Sequence, residues 1–293
     1  MTLTPQFIIE IIGTIAFAIL APVVGCLLSG FDRVVSARMQ GRVGPPILQP
    51  YYDVRKLLEK EYASVNAAEG VYVTCALVFA VLAGGIFFGG GNLLMCVFVI
   101  TLSSLMFIVA AYSTRSPYAE IGAHRETLQV MAYEPMVLLM AIAFFMATGS
   151  FDVNAVLGLD APIITTAWLA FLGLLYILTI KLRKSPFDLS MSHHAHQEIV
   201  RGITTEMSGP TLAKVEIMHW YENVLFLGWI GMFFVWGSPI SIALTLVVMV
   251  LVYLLEILID NNFARVKWQL MLKSAWVVAL LAGGVNIAVL AFL

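Results

Sequence analysis

The chain has 293 residues, of which 61% are hydrophobic and 12% are charged, and its formal net charge is -2. A mean hydropathy of +0.94 excludes a soluble globular fold and predicts an all-α integral membrane protein. The small net charge gives no indication of nucleic-acid binding, and no nucleic acid is expected among the partners.

Eight apolar segments, each close to the roughly 20 residues that cross a bilayer, are predicted to span the membrane as a single polytopic domain. They cover residues 7–30, 70–89, 93–112, 128–148, 163–182, 215–236, 239–259 and 274–293. The first segment has no basic region before it, which favours a membrane helix over a cleaved signal peptide. Cys26, Cys75 and Cys96 lie in apolar runs without CxxC spacing, so no metal cluster or haem is expected in this chain.

All sixteen Lys and Arg residues lie in, or at the edge of, the connections that follow the first, third, fifth and seventh spans. The positive-inside rule makes these four connections cytoplasmic and places both termini outside. The opposite connections are short, which leaves little room for an external domain. The sequence therefore predicts a protein of the cytoplasmic membrane with one long, charged and ordered cytoplasmic face.

The first cytoplasmic connection, residues 31–61, is dense in positive charge and has a fixed backbone path. It holds Arg33, Arg38, Arg42, Arg55, Lys56 and Lys60. Gly44, Pro45 and Pro46 restrict the backbone because Gly permits positive φ and Pro locks φ. After Pro50 the pattern becomes amphipathic, which predicts a short helix lying on the membrane surface or against a partner.

The third connection carries Arg115, Arg125 and Glu126, and Glu134 follows about two turns inside the fourth span. A carboxylate at that depth is costly in lipid, so we expect Glu134 to face the bundle interior or a hydrated path. The alternative is a structural Glu134 paired with a neighbouring arginine or with backbone.

The fifth connection and the span after it, residues 181–224, are rich in titratable groups. The carboxylates are Asp188, Glu198, Glu206, Glu216 and Glu222, and the histidines are His193, His194, His196 and His219. His193 with His196, or His194 with Glu198, has a spacing that suits a metal ligand pair on one helical face. A catalytic metal needs further ligands and a shaped cavity, so we favour hydrogen bonding or proton exchange and predict no metal.

Several motifs, in order along nearly the whole chain, resemble those of the complex I membrane subunit that joins the peripheral arm and shapes the quinone cavity. They are GRVGPPILQPYYDVRKLLEKE, QVMAYEP, SPFDL, EIVRG and TTEMSG. Two departures indicate a branch of the family: GPP stands where complex I proteins have GPN, and SMSHHAHQ replaces an acidic run that borders the quinone path. These features resemble the homologous subunit of energy-converting nickel-iron hydrogenases, particularly the Ech type.

The resemblance implies that this chain is a non-catalytic subunit without a cofactor of its own. It would anchor a nickel-iron large subunit, a small subunit and an iron-sulfur subunit, with an antiporter-like membrane subunit alongside. Reduced ferredoxin would supply electrons for proton reduction in the soluble partners, which carry the nickel-iron centre and the iron-sulfur clusters. This chain would couple that step to proton or sodium movement.

The predicted roles fall into four groups. Ion coupling is assigned to Glu134, Asp188, Glu198, Glu206, Glu216 and Glu222. Counter-charges are assigned to Arg115, Arg125, Arg183 and Arg201. Partner docking is assigned to Arg33, Arg38, Arg42, Gly44, Pro45, Pro46, Asp53, Lys56 and Glu61. Proton exchange is assigned to His193, His194, His196 and His219, and Glu10 and Glu256 are weaker coupling candidates.

Other assemblies would suit the same sequence. Within the family, the alternatives are formate hydrogenlyase, a carbon-monoxide-linked hydrogenase, and complex I itself with its quinone site. A stand-alone cation/proton antiporter would also need membrane carboxylates, but it would not need about thirty ordered residues in its first inner connection.

Overall fold

A computed structural model of the chain describes residues 5–63, 66–184, 186–191 and 198–292, with side chains from residue 10 onward. Over these residues the fold is helical, apart from isolated β-bridges, and the predicted all-α class is confirmed. The α-helices are α1 Pro5–Met39, α2 Gln49–Leu58, α3 Ala67–Phe88, α4 Leu93–Ser113, α5 Pro117–Thr148, α6 Trp168–Lys181, α7 Gly209–Met232, α8 Ile240–Asn262, α9 Trp268–Val278 and α10 Val285–Phe292. A π-helical turn, Ala279–Gly284, joins α9 to α10.

Six helical segments of the described chain are long and apolar enough to cross a membrane. They are Glu10–Met39, Ala67–Phe88, Leu93–Ser113, Pro117–Thr148, Ile240–Asn262 and Trp268–Phe292. These six match the predicted spans one to four, seven and eight. The remaining two predicted spans correspond to α6, which has only 14 residues, and to α7, which carries several charges. Membrane crossing by α6 and α7 stays a prediction, as does the orientation of the termini.

Two helices extend beyond their predicted spans on the charged side of the bundle. α1 continues as helix to Met39 and ends before Gly41, whose φ of 68° is left-handed. α5 begins at Pro117, directly after an extended Ser116, because proline is favoured in the first helical turn. Residues 31–39 and 117–127, predicted as parts of connections, are therefore helical, and α5 carries its charged residues on a rigid element.

The amphipathic helix predicted after the first span is present as α2, and its location on the membrane surface or against a partner stays a prediction. Its Val54 is buried against Cys26 of α1 and Trp220 of α7. Tyr51 and Leu58, two other large apolar residues of α2, are about half exposed. α2 therefore packs against its own bundle through a narrow face that includes Pro50 and Val54.

The backbone of the connection before α2 packs directly against the backbone of α1. A Cβ atom at Gly30 would lie 1.8 Å from the carbonyl oxygen of Ile47, so only glycine permits this contact. Gly44 packs in the same way near Val34 and Ala37. The fixed path predicted from the Gly and Pro residues is thus held by the last turns of α1.

α7 is the central helix of the bundle and contacts α1, α2, α3, α6 and α8. Its Trp229, Phe226 and Ile230 are almost fully buried. Interhelical packing in a membrane depends on close van der Waals contact, since lipid is as apolar as the helix surface. Charged residues on α7 are consequently surrounded by protein on most sides.

The segment after α6 folds back onto the bundle and is tied to the segment between α8 and α9. Arg183 turns the chain with a left-handed φ of 57°. Val266 then donates its amide to Pro186 O at 2.7 Å, and the Asp188 amide donates to Val266 O at 3.3 Å. This backbone pairing fixes residues 186–188 against the ends of α5 and α9.

Candidate functional site

Arg183 lies at the centre of a buried group of ionisable residues, here called the Arg183 cluster: Arg183, Glu126, Ser190, His219 and Glu222. Its Nη2 atom is 3.5 Å from Glu126 Oε1 on α5 and 3.9 Å from Glu222 Oε2 on α7. Its Nη1 atom contacts the ring of His219, and Ser190 Oγ donates to Glu126 Oε2. One guanidinium therefore links carboxylates from two helices to the connection between α6 and α7.

Lys181, at the end of α6, extends this cluster towards the bundle interior. Its ammonium nitrogen lies 3.5 Å from the ring centroid of Tyr133 and 4.8 Å from that of Phe226. The Tyr133 hydroxyl is 3.3 Å from Ser104 Oγ on α4. The aromatic faces stabilise a cation at a depth where water is scarce.

Arg125 organises a second group, the Arg125 cluster: Arg125, Asp188, Glu198 and Trp268. Arg125 Nη1 donates to Asp188 Oδ2 at 3.1 Å, Nη2 donates to Glu198 Oε2 at 3.0 Å, and the guanidinium stacks on Trp268 at 5.4 Å. Hydrogen bonding from Arg125 lowers the pKa of Glu198 below its ordinary value. Burial raises the pKa of Asp188 in spite of the same arginine.

The two clusters are mechanically connected. Arg125 and Glu126 are consecutive on α5, while Asp188 and Ser190 lie two residues apart on one connection. A shift of residues 186–191 would therefore change the hydrogen bonds of both clusters together. Such an arrangement lets a rigid-body movement at the surface alter the electrostatic environment of the buried carboxylates.

A third charged group ties α1 and α8 to the start of the same connection. The buried Lys184 contacts Asp32 and lies 3.6 Å from Asp260 Oδ2. Glu256, one turn deeper on α8, is only 1% exposed, and its Oε2 has no hydrogen-bond partner in the described structure. A buried carboxylate without a partner is unfavourable in its charged form.

The predicted coupling residues occupy different places around these clusters. Glu134 is half-buried on α5, close enough for its charge to act on Lys181. Glu216 is half-buried on α7, where the charges of Arg33 and Arg201 reach it. Asp188, Glu198 and Glu222 belong to the two clusters described above.

Glu206 is separate from both clusters and lies within electrostatic reach of a carboxylate that sequence reasoning did not single out. Glu69, in the first turn of α3, has 0% exposure, and neither carboxylate oxygen has a partner among the described atoms. The charge of Glu206 acts on it.

The predicted counter-charges separate into two pairs. Arg125 and Arg183 are the centres of the clusters. Arg115 and Arg201 are exposed, both with left-handed backbone conformations. Arg115 lies between α4 and α5, and Arg201 lies within the connection between α6 and α7.

The predicted docking residues form a largely exposed surface at the end of α1 and on α2. Arg33 pairs with Asp53 at 2.6 Å, and Gln49 also donates to Asp53 at 2.8 Å. Arg38, Arg42, Lys56 and Glu61 are exposed. A groove of about 610 Å³ runs beside them and is lined by Arg33, Arg42, Pro45, Asp260 and Arg265, among others.

Of the histidines predicted to exchange protons, His219 joins the Arg183 cluster. His193, His194 and His196 lie outside the described residues. The metal-pair possibilities that involve them are therefore not addressed by the structure.

Sequence reasoning missed Glu126, Lys181, Lys184 and Asp32 as site residues. Glu126 was placed in a connection because the fourth span was predicted to begin at residue 128. The available signal was its position eight residues before Glu134, a spacing close to two helical turns. Lys184 and Asp32 meet across a sequence separation of 152 residues, for which no local pattern exists.

Comparison with known proteins gives a consistent result. Hydrogenase-4 component C of Escherichia coli (strain K12) is 26% identical over 293 residues, covering 91% of each chain. Formate hydrogenlyase subunit 4 of the same organism is 27% identical, covering 91% of this chain and 92% of that relative. An NADH-quinone oxidoreductase subunit of Anoxybacillus flavithermus (strain DSM 21510 / WK1) is 28% identical, covering 97% and 90%.

A solved structure shares the fold. A chain of the membrane-bound sulfane sulfur reductase, an archaeal respiratory membrane complex, superimposes with a TM-score of 0.82 at 24% identity, covering 94% of this chain and 99% of that one. The profile of the NADH dehydrogenase family matches residues 11–291. The chain is therefore a multi-pass membrane protein that belongs to the NADH dehydrogenase family.

Proposed function

We propose that the chain is the membrane anchor and coupling subunit of a multisubunit, energy-converting nickel-iron hydrogenase. Its soluble partners would reduce protons with electrons from ferredoxin, and this chain would link that reaction to proton or sodium movement. Two relatives named as hydrogenase or formate hydrogenlyase components support the hydrogenase branch. The nickel-iron centre and the iron-sulfur clusters would reside in the partners.

The observation that carries the coupling role is the position of Arg183. It bridges Glu126 and Glu222 from two helices, and it belongs to the same connection that supplies Asp188 to Arg125. A buried carboxyl binds a proton when its counter-charge moves away, and it releases the proton when the counter-charge returns. Movement of the connection by an attached redox subunit would therefore load and unload these carboxyls.

The exposed basic surface at the end of α1 and on α2 is suited to hold the soluble subunits. Arg38, Arg42 and Lys56 are exposed there, beside the groove described above. Positive patches of this kind bind partners with complementary acidic surfaces. Docking at this surface would place the partners next to the connection that carries Arg183.

The second candidate is a quinone-site subunit of a complex I-type enzyme. It is favoured by the 28% identity to the NADH-quinone oxidoreductase subunit of Anoxybacillus flavithermus over 97% of this chain. In that case the acceptor of electrons would be a quinone and the soluble partners would differ. The coupling role of the buried clusters would be the same.

The partners decide between these candidates. We would tag the chain, extract the assembly from membranes in mild detergent and identify the co-purifying subunits by mass spectrometry. A nickel-iron large subunit, an iron-sulfur subunit and an antiporter-like subunit are expected. Recovery of the chain alone would exclude both complexes and favour a stand-alone transporter.

Coupling is tested separately in inside-out vesicles supplied with reduced ferredoxin. Glu126→Gln and Glu222→Gln are expected to reduce the ion gradient formed per hydrogen evolved. Glu59→Gln, at an exposed position just after α2, is the matched control and should behave as wild type. An unchanged ratio in both cluster variants would refute the coupling role.

A further inference from the structure

An apolar crevice lies between α6, α8 and α9 on the outside of the bundle. Its volume is about 550 Å³, within the roughly 300 to 1,000 Å³ typical of small-molecule sites. Its lining is mainly aliphatic and aromatic and includes Leu175, Phe187, Ile259 and Leu270. The crevice is therefore suited to a hydrocarbon chain.

The membrane-facing surroundings of the crevice are sparsely covered by protein. Only 28% of the most apolar stretch of Ile240–Asn262 and 22% of that of Trp268–Phe292 is buried. Phe263 is 63% exposed and Leu270 is 57% exposed at the crevice edge. Lipid can therefore reach the crevice directly from the bilayer.

A basic depression adjoins the crevice and shares Val266 and Leu270 with it. This depression has a volume of about 370 Å³ and is lined by Arg265, Lys267 and Lys273. No ion pair joins these three cations to a carboxylate within the described ranges. The Nη1 atom of Arg265 is buried, and the described residues offer it no hydrogen-bond partner.

An apolar crevice joined to a depression with three cations matches the two parts of an anionic phospholipid. Basic pockets beside membrane helices bind anionic headgroups, and each nearby Lys or Arg strengthens the attraction. A free phosphate ion would satisfy only the depression, and a zwitterionic lipid would gain less from three positive charges. We propose that an anionic phospholipid binds here, with its phosphate at Arg265, Lys267 and Lys273 and an acyl chain in the crevice.

The site lies against the segment that positions the Arg125 cluster. Val266 forms the backbone pair with Pro186 and Asp188, and Trp268 stacks on Arg125. A lipid held at residues 265–267 therefore reinforces the attachment of residues 186–188. This inference concerns the lipid environment and does not depend on which redox complex contains the chain.

Native mass spectrometry of the full-length chain, purified and delipidated in mild detergent, tests the proposal. Phosphatidylglycerol is added to one sample and phosphatidylcholine to another. We expect one tightly bound phosphatidylglycerol and, in the Lys267→Gln/Lys273→Gln variant, a loss of retention on the order of tenfold. Arg55→Gln/Lys60→Gln, which removes two exposed cations elsewhere, is the matched control.

Leu270→Trp provides a second, independent variant because Leu270 lines both the crevice and the depression, and a larger side chain there would fill space in both. Leu270 is exposed, so the fold should tolerate the change, and thermal unfolding verifies this. Phosphatidylglycerol should raise the unfolding temperature of the wild type but not that of either site variant. Equal retention of both lipids, or full retention by both site variants, would overturn the proposal. Cross-linking that places another subunit's helix in the crevice of the intact complex would also overturn it.

Discussion

Arg183 Nη2 lies 3.5 Å from Glu126 Oε1, and this contact joins the left-handed turn after α6 to the long helix α5. The same nitrogen is 3.9 Å from Glu222 Oε2. A single side chain thus compensates two buried carboxyls that belong to different helices. Its position depends on a connection that also holds Asp188 and Ser190, which is why surface movement can reach these carboxyls.

Removal of the Arg183 guanidinium is expected to be strongly destabilising. Arg183→Gln leaves Glu126 and Glu222 without their counter-charge, and breaking a buried ion pair in this way costs about 3–5 kcal/mol. The free energy of unfolding of the detergent-solubilised chain measures the effect. The double variant Arg183→Gln/Glu126→Gln should recover part of the loss, since one uncompensated carboxyl is removed. Equal stability of the single and double variants would contradict the pairing.

Glu134→Gln is expected to lower both hydrogen evolution and the ion gradient in vesicles. The charge of Glu134 acts on Lys181, and Glu134→Gln removes that charge while nearly preserving the size of the side chain. Dye-monitored gradients with parallel hydrogen measurement provide the check. Wild-type values for both quantities would remove Glu134 from the coupling path and leave the Arg183 cluster as the coupling element.

Charge reversal at the docking surface is expected to release the soluble subunits. Arg38→Glu/Arg42→Glu places like charges against an acidic partner surface, and a lost close charge pair costs about 2 kcal/mol or more, which weakens binding more than tenfold. The fraction of partner subunits that sediments with washed membranes measures this. Arg55→Glu, an exposed residue paired with Glu59 on α2, is the comparison variant. Normal partner retention after reversal of Arg38 and Arg42 would argue against docking here.

The two carboxyls of the Arg125 cluster are expected to have pKa values shifted in opposite directions. Burial holds the pKa of Asp188 above its ordinary value, while hydrogen bonding from Arg125 holds that of Glu198 below it. As the pH falls, Asp188 should therefore gain its proton above the ordinary pKa of an aspartate, and Glu198 should gain its proton below the ordinary pKa of a glutamate. Infrared carbonyl bands, assigned with Asp188→Asn and Glu198→Gln, would follow each group.

The same pKa shifts determine how the connection responds to pH. The contribution of Glu198 is fully present above its unfolded-state pKa and is lost as the pH falls through its lower folded-state pKa. Ionisation of Asp188 has the opposite sign and costs stability as the pH rises through its raised pKa. Limited proteolysis of residues 182–208 should show the Glu198 attachment intact at neutral pH and lost only in strong acid. Release near neutral pH in the wild type would contradict this.

Gly30→Ala is expected to displace the connection before α2. The added methyl group would lie 1.8 Å from Ile47 O, so backbone must move, and overpacking of this kind costs about 1–3 kcal/mol. Thermal unfolding and protease sensitivity at residues 40–48 measure the change. Gly284→Ala, where a Cβ meets nothing within 4 Å, is the matched control. Identical behaviour of the two variants would show that the close contact is not required.

The sequence alone determined the membrane class, six of the helical spans, the short helix after Pro50 and the family. These features follow from hydropathy, proline and glycine positions and local motifs, all of which are properties of neighbouring residues. Hydropathy predicts a span because about 20 consecutive apolar residues are needed for a helix to cross the hydrocarbon core of the bilayer.

Tertiary structure alone decided which charges meet. Asp188 and Arg125 are 63 positions apart, and Lys184 and Asp32 are 152 apart, so no period or motif could pair them. The surroundings of residues 117–127 were also decided by packing, since Arg125 and Glu126 of α5 have partners in the connection after α6. A charge is stable at such a position only when a distant part of the chain supplies its counter-charge, and only the folded chain brings the two together.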